Sequence, residues 1–564
     1  MKSSESIPRR STDVTGEECV GILLRCGALA PLQGGTAGYD TCPCRRTGVF
    51  VTQSVFRYPG GMISPGTFSF VSEEEIQVKQ QSLEDIQKIA EGYAAVPVVR
   101  EILADTATPI GLVSLVRKET SRYFLLESLE QNDQAGRYSF IGFDPIARLR
   151  AKDRSAQVEF AGSRIPVDPR QPLEALRSIL KAYRVPTIPG LPPFTGGFVG
   201  YFSYDFFQYC EPSLRFDPTK ATAFPDFDLM LFDKVIAFDR VLQKMYLIVN
   251  IKTDDLEGNY AKAQKNLDAM EALVRQPVAP PVFTPAHLGE ITSNQDKKTY
   301  AENVEKIKEH IRQGDIFQAV YSQRFSASYD QDLFNMYRIL RTTNPSQYMV
   351  LLKNDDLEIV GSSPETLIKV QGREITSMPI AGTRRRGRTE EEDRALEKDL
   401  QTDPKELAEH NMLVDLARND VGKVAEFGSV KVHDHLLIKK FSHVMHMTTR
   451  VTGTLKEGRD AIDTLCAAFP AGTLSGAPKV RACQILDELE PERRGPYGGG
   501  MGYLDFAGNM DICIVIRTAV KLGNTVSFQT GSGIVADSRV EDEFMETINK
   551  AAAVRQALVA TTEA

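Results

Sequence analysis

Two amphipathic helices whose acids line the edge of an apolar seam constrain this chain more than any other feature. The first opens at Asp403-Pro404 and runs from Lys405 to Asp420. Asp is a good N-cap, and Pro is tolerated at the first helical position, where no N–H is needed. Leu407, Met412, Leu413 and Leu416 form a mostly apolar side, with Glu406 and Glu409 on its edge. The second covers about 540–558, where Val540, Phe544, Ile548, Ala551, Val554 and Leu558 recur at helical spacing. Glu543, Glu546 and Lys550 flank that stripe. Each Glu-x-x-Glu pair returns to nearly one helix face. Such pairs are common on solvated helices, but a surface helix does not need its acids this close to a seam. If the two helices meet, four carboxylates converge, and a cation must offset their repulsion. Hard oxygen donors suit Mg²⁺, which takes one or two carboxylates and leaves positions for water and an anionic substrate.

The rest of the composition narrows the classes of function. A chain of 564 residues has room for several domains and a large core. Its net charge of −8 opposes nucleic acid. The basic run Arg384-Arg385-Arg386-Gly387-Arg388 is followed at once by Glu390, Glu391, Glu392 and Asp393, and reads as a solvated loop. No apolar run reaches the length of a membrane span, so neither nucleic acid nor membrane is expected as a partner. Cys210, Cys466, Cys483 and Cys513 sit among apolar neighbours, which suggests reduced thiols in a cytosol-like compartment. Cys19, Cys26, Cys42 and Cys44 crowd the start, but Cys-Pro-Cys lacks the usual spacer of a zinc site. Tryptophan is absent beside 28 Phe and 18 Tyr, as suits a protein made when tryptophan is scarce.

Residues 1–80 have weak periodicity and form an unassigned extension, read as disordered. They lack the apolar core of a signal peptide, and their acids argue against a transit peptide. Residues 83–275 mix strands and helices. YFLLES, VEFAG, MLFDKVIAFD and KMYLIVNI read as strands, and DLEGNYAKAQKNLDAMEALVRQ as a helix. A linker follows over 276–294, with Pro277, Pro280, Pro281 and Pro285. From 295 to 560 the pattern restarts. A helix carries Tyr300, Val304, Ile307 and Ile311, with Gly314 suited to its stop, and IFQAVYSQRF alternates as a strand.

Ordered segments of this last region resemble one family: GDIFQAVYSQRF, GSSPETL, PIAGTRRRG, KELAEHNMLVDLARND, FSHVMH, GTLSGAPKVRA, YGGGMGYLDF, CIVIRT and GSGIVADS. Upstream, YFLLESLE, GRYSFIGFDP and FTGGFVGYFSYD extend the likeness. Together they are similar to the chorismate-utilising enzymes, and most of all to the anthranilate synthase large subunits, over about 90–558. The resemblance implies an α+β class: a large mixed α/β chorismate-binding fold, two packed β-sheets surrounded by helices, with the active site in the cleft.

It also implies roles. Glu409 and Glu546 match direct Mg²⁺ ligands, and Glu406 and Glu543 match carboxylates acting through metal-bound water. Glu365 matches the general acid that protonates the departing C4 hydroxyl, for which its pKa must be raised. His446 and Thr473 match residues near the leaving enolpyruvyl group. Tyr497 and Arg517 match contacts to substrate carboxylate, and an Arg inside the strand CIVIRT is expensive unless paired. Gly382, Thr383, Gly531, Ser532 and Gly533 match backbone cradles, and Lys550 faces the same anion.

Two positions sort the chemistry. Relatives that add water carry a lysine base where this chain has Gln318. Aminodeoxychorismate synthases carry a lysine where it has Ala381. Direct attack of ammonia at C2 remains, giving anthranilate and pyruvate as the first step of tryptophan biosynthesis. The alternatives are aminodeoxychorismate synthase component I and a catalytically silent tryptophan-binding scaffold. The chain ends soon after its last helix, so a separate glutamine amidotransferase subunit is implied, in a heterotetramer of two large and two small subunits. Tryptophan feedback is implied at Ser128 with the segment Asn344 to Met349, where Gln347, Tyr348 and Met349 contact the effector. Gln347 stands where the family has Pro, which would fix φ and remove a donor. The expected location is cytoplasmic, or plastid if the extension is a transit peptide.

Overall fold

The computed structural model describes residues 81–563 apart from 130–133, 161, 168–171, 221, 280–281 and 441–443. The extension with its four cysteines, Pro280 and Pro281 of the linker, and the first half of FSHVMH lie outside the described residues.

Alternating strand patterns and amphipathic helices resolve into two antiparallel sheets of 12 strands each. The first runs from Ala95–Leu103 through Lys244–Lys252, Lys234–Asp239, Tyr138–Phe143 and Arg122–Glu127. It continues through Tyr348–Asn354, Leu357–Ser363, Thr518–Leu522, Thr525–Ile534 and Gln318–Ser328. The second runs from Ile380–Arg385 through Val444–Thr454, Glu374–Ser377, Thr366–Gln371 and Met510–Ile514. It continues through Gly500–Asp505, Gly197–Phe202, Phe227–Phe232 and Ala147–Lys152 to a hairpin of Ser155–Phe160 and Ser163–Val167. Strand periodicity sends alternate residues to opposite faces. In the first sheet Val99, Phe124, Tyr246, Ile248, Val350 and Ile359 pack inward against Val199, Tyr201, Met230, Met501 and Cys513 of the second. Their neighbours Val98, Leu125, Leu247 and Leu351 face outward, under Leu256–Val274, Phe334–Thr343 and Val540–Ala560. Helices Pro404–Gly422 and Ala461–Ala468 cover the outer face of the second sheet.

Both sheets draw strands from 83–275 and from 295–560, so the boundary in sequence is not a boundary between folding units. Two stretches read as single strands are in fact crossings between sheets. MLFDKVIAFD breaks at Asp233, where the chain passes from Phe227–Phe232 to Lys234–Asp239. CIVIRT breaks after Ile514, and Val515 to Arg517 bridge to Thr518–Leu522. Both sides of each crossing are buried and apolar, so hydrophobicity alone cannot mark the switch.

Candidate active site

The first acid helix forms as its cap dictates. Asp403 accepts from the N–H groups of Lys405 and Glu406 at the start of Pro404–Gly422. The second acid helix, Val540–Ala560, packs on strand Thr525–Ile534. The four carboxylates share one field. Burial pushes the Glu409 carboxyl up, and Glu406 and Glu546 push it further. Burial does the same to Glu543, with Ser538 acting against it and Glu546 adding to it. Glu409 thus senses the other helix. Glu543 is buried, with one oxygen taking a hydrogen bond from Ser538 at 2.7 Å and the other, Oε2, lacking a partner. Glu406 is ion-paired to Arg384 at 2.9 Å, and Glu546 to Lys550 at 2.6 Å. No group of three such side chains already stands at ligating separation among the described residues. The donor set nevertheless fits a hard cation: oxygen only, mutually repelling, with one orphaned buried oxygen.

Glu365 lies at a third crossing, between Leu357–Ser363 of the first sheet and Thr366–Gln371 of the second. It is buried, 7% exposed. Burial pushes its carboxyl up to about 8, against a hydrogen bond from Thr473, one from the Ile380 N–H, and the more distant charges of Lys550 and Arg517. Thr473 Oγ1 is 3.1 Å from Glu365 Oε1, and both open onto a cleft lined by Leu413, Leu416 and Ile514. At neutral pH the carboxyl is protonated and can donate.

Arg517 sits on the neighbouring crossing. Its φ of +52° is rare for a side chain of this size. The two crossings are laced together: Ile514 N–H donates to Glu365 O, and Ser362 N–H to Arg517 O. Arg517 makes no ion pair among the described residues. Burial lowers its pKa, and the charges of Tyr497, Glu546 and Glu365 oppose that. A desolvated guanidinium held in a strained backbone, facing the acid cluster without a paired anion, is prepared for an anionic ligand.

Gly382 explains how His446 is oriented. It is the bulged residue of Ile380–Arg385 against Val444–Thr454, with φ +68°. An added Cβ would lie 2.8 Å from Leu400 and 3.1 Å from Glu406 Oε2. The bulge turns its carbonyl to His446 Nδ1 at 3.0 Å, with Thr383 Oγ1 also at 3.0 Å. A carbonyl only accepts, so Nδ1 carries the proton and Nε2 is the basic nitrogen. Burial lowers the His446 pKa, with the Gly382 contact opposing and Arg517 adding to it, which keeps the ring neutral.

Strand Thr525–Ile534 supplies a small-residue wall. An added Cβ on Gly531 would reach the Tyr497 hydroxyl at 3.0 Å, and one on Gly533 would reach Gln318 Nε2 at 2.9 Å. Ser532 points the other way, to the Tyr300 hydroxyl at 2.8 Å, and serves the Glu543 side of the wall. Gln318 is buried and its Oε1 has no partner. Lys550 donates to Gly531 O at 3.0 Å. Tyr497 is buried, its phenol pushed up by desolvation.

The expected effector residues assemble elsewhere in the first sheet. Arg122–Glu127 pairs with Tyr348–Asn354, Met349 opposite Glu127, and Leu129 N–H donates to Ser346 O. Ser128 is buried and its hydroxyl lacks a partner. Gln347 precedes the strand and is half-buried. Tyr348 turns between the sheets, to Thr366 and Asp511, while Met349 faces the outer helices.

The arginine run is not a free loop. Arg384 and Arg385 belong to Ile380–Arg385, Arg384 binds Asp399, Asp403 and Glu406, and Arg386 binds Asp393. Consecutive charges hid the strand pattern. Sequence reasoning missed that Arg384 and Ser538 each hold a member of the acid cluster and that Tyr300 holds Ser532 beside it, because these partners are remote or give no periodic signal.

A family model described as chorismate binding enzyme matches residues 121–556. The chain is 43% identical to anthranilate synthase component 1 of Acetivibrio thermocellus over 85% of its length and 98% of that protein. It is equally identical to the protein of that name from Aquifex aeolicus, covering 85% and 97%. Among solved structures, anthranilate synthase component I from Streptococcus pneumoniae aligns at TM-score 0.66 and 33% identity, covering 80% of this chain and 99% of that one. The menaquinone-specific isochorismate synthase from Escherichia coli, 19% identical, shares the fold at TM-score 0.62, covering 84% and 98%.

Proposed function

The chain belongs to the chorismate binding enzymes, and from that membership we propose that it is an anthranilate synthase large subunit, converting chorismate and ammonia to anthranilate and pyruvate. The observation that carries the reading is Glu365: a buried carboxyl pushed up to about 8 and aimed by Thr473. Hydroxide is a poor leaving group, so loss of the C4 hydroxyl needs a proton delivered as the bond breaks. Glu365 delivers it while ammonia adds at C2. The C2 proton is then removed and pyruvate eliminated, with aromatisation driving the step. His446, neutral and with Nε2 unprotonated, assists there. Arg517, Tyr497 and the amide of Gln318 orient the substrate's polar groups, and Gly531 and Gly533 let it approach the strand. Gln318 in place of a basic residue disfavours water as nucleophile, and Ala381 leaves no amine to form a covalent adduct.

Glu409 and Glu546 would hold Mg²⁺ directly, with Glu406 and Glu543 behind them. Glu409 makes no hydrogen bond or ion pair among the described residues, which supports its place as a direct ligand, whereas Glu406 and Glu543 are held by Arg384 and Ser538 and Glu546 would exchange Lys550 for the ion. When bound, the ion supplies positive charge that neutralises and fixes the substrate carboxylate. Ammonia comes from glutamine through a separate amidotransferase subunit, in a heterotetramer of two large and two small chains. Tryptophan binds beside Ser128 and inhibits. No helix among the described residues is long and apolar enough to cross a membrane, and the described cysteines are free, in keeping with a cytoplasmic enzyme.

The test is purified protein with chorismate, Mg²⁺ and ammonium at alkaline pH, read by anthranilate fluorescence. A 4-amino product, no product, or an unchanged rate in Glu365→Gln overturns the reading.

A further inference from the structure

Two cysteines outside the site meet across the sequence. Cys210 ends the short helix Phe207–Cys210, and Cys466 lies in Ala461–Ala468. Their sulfurs face each other in direct contact, 2.6 Å apart, with both cysteines free. Both are partly exposed, whereas Cys483 and Cys513 are fully buried, Cys483 against the Tyr204 hydroxyl and Cys513 between the sheets.

The neighbourhood holds this pair in register. Arg177 clamps Asp460 and Asp463, at the start of the Cys466 helix, at 2.7 and 2.8 Å. Phe206, before Cys210, meets Phe469, after Cys466, edge-on at 5.2 Å. Lys479 donates to Ala468 O and to Asp420 at 2.9 Å, tying the end of the same helix to Pro404–Gly422. These contacts fix the Cys466 helix at both ends and join it to the segment that carries Cys210.

We propose that Cys210 and Cys466 are a reversible dithiol–disulfide pair, oxidised by a low-molecular-weight disulfide. The thiolate of one attacks the small disulfide, forming a mixed disulfide and expelling one small thiolate. The second cysteine, as thiolate, attacks the protein sulfur of that bond, closing the Cys210–Cys466 bridge and expelling the other small thiolate. Overall the protein loses two protons and two electrons, and the small disulfide becomes two thiols. Burial and the neighbouring Cys466 push the Cys210 thiol up, and Lys479 works against them, so alkaline pH favours the attacking thiolate. The bridge joins the early region of the chain to the helix that precedes Thr473, and so fastens the outer wall of the cleft.

The full chain is incubated with oxidised glutathione at mildly alkaline pH, trapped with iodoacetamide, and mapped by non-reducing peptide mass spectrometry. The expected product is a cross-linked peptide pair containing Cys210 and Cys466, lighter by two hydrogens, released by dithiothreitol and absent from both Cys210→Ser and Cys466→Ser. In each variant the remaining cysteine instead retains a glutathione adduct. Three results overturn the proposal: a lasting glutathione adduct on either cysteine of the unaltered protein, a bridge from either to another cysteine, or both thiols still alkylated under conditions that oxidise free dithiothreitol.

Discussion

Glu127 and Glu365 are both buried carboxyls at the ends of strand segments in this fold, yet they carry opposite charge states. Glu127 has a fully covered side chain, and desolvation alone would push it up. Hydrogen bonds from Arg341 and Tyr337 and the charges of Arg341 and Arg240 outweigh that and hold it below the usual range. Glu365 receives one hydroxyl and one backbone N–H, with its cations further off, and rises to about 8. Burial is common to both; the supply of counter-charge separates a carboxylate that braces the sheet from a carboxyl that holds a proton. A buried acid left this poorly paired is costly, which points to use rather than to stability.

The sharpest way to break the contrast is to make both acids amides. Glu365→Gln should cut anthranilate formation by roughly 10²–10⁴-fold while urea denaturation stays near the parent; normal turnover would end the general-acid assignment. Glu127→Gln should do the reverse. It leaves Arg240 and Arg341 facing an uncharged group, at about 3–5 kcal/mol in unfolding free energy, while the folded fraction keeps its rate constant.

The acid cluster extends the comparison to carboxylates that await a cation. Chelation should abolish activity, and Glu409→Gln should raise the Mg²⁺ needed for half-maximal rate by roughly 10–100-fold. Glu406→Gln, whose partner is Arg384, should raise it less; the reverse order would refute the ranking of ligands. The pH profile gives a smaller effect. Glu365 works protonated, so with free amine held constant the rate should fall as pH rises through about 8, approaching tenfold per unit beyond. A profile flat to pH 9.5 would contradict the raised carboxyl. The smallest change belongs to Ser128→Ala. Removing a buried hydroxyl that has no partner should leave stability within about 0.5 kcal/mol, yet raise the tryptophan concentration for half-inhibition.

What could be read in advance was local. Asp403-Pro404 and the stripe from Val540 to Leu558 predict helices that form with nearly those limits, because caps and 3.6-residue periodicity are written in neighbouring residues. The two-sheet α+β architecture came from the family likeness rather than from periodicity, and the structural relatives share it. The crossings at Asp233 and Val515 to Arg517 were illegible, since a strand leaving one sheet for another keeps the same apolar composition. The family likeness pointed to Glu365 and required its carboxyl to be raised, but the desolvation that raises it comes from segments far along the chain and could not be read locally. Arg384 was misread for the same reason, its partners Asp399, Asp403 and Glu406 being visible only once the helices fold back.

The interleaving of the sheets also sets a timetable for the growing polypeptide. Arg122–Glu127 needs Tyr348–Asn354 as its neighbour, and Gly197–Phe202 needs Gly500–Asp505. When the early strands leave the ribosome these partners have not been made, so long apolar edges stay open through most of translation. Glu365 and Arg517 take their places only when the final strands close both layers. An arrested or truncated product therefore presents sticky unfinished edges and no working centre, and belongs to chaperones rather than to metabolism.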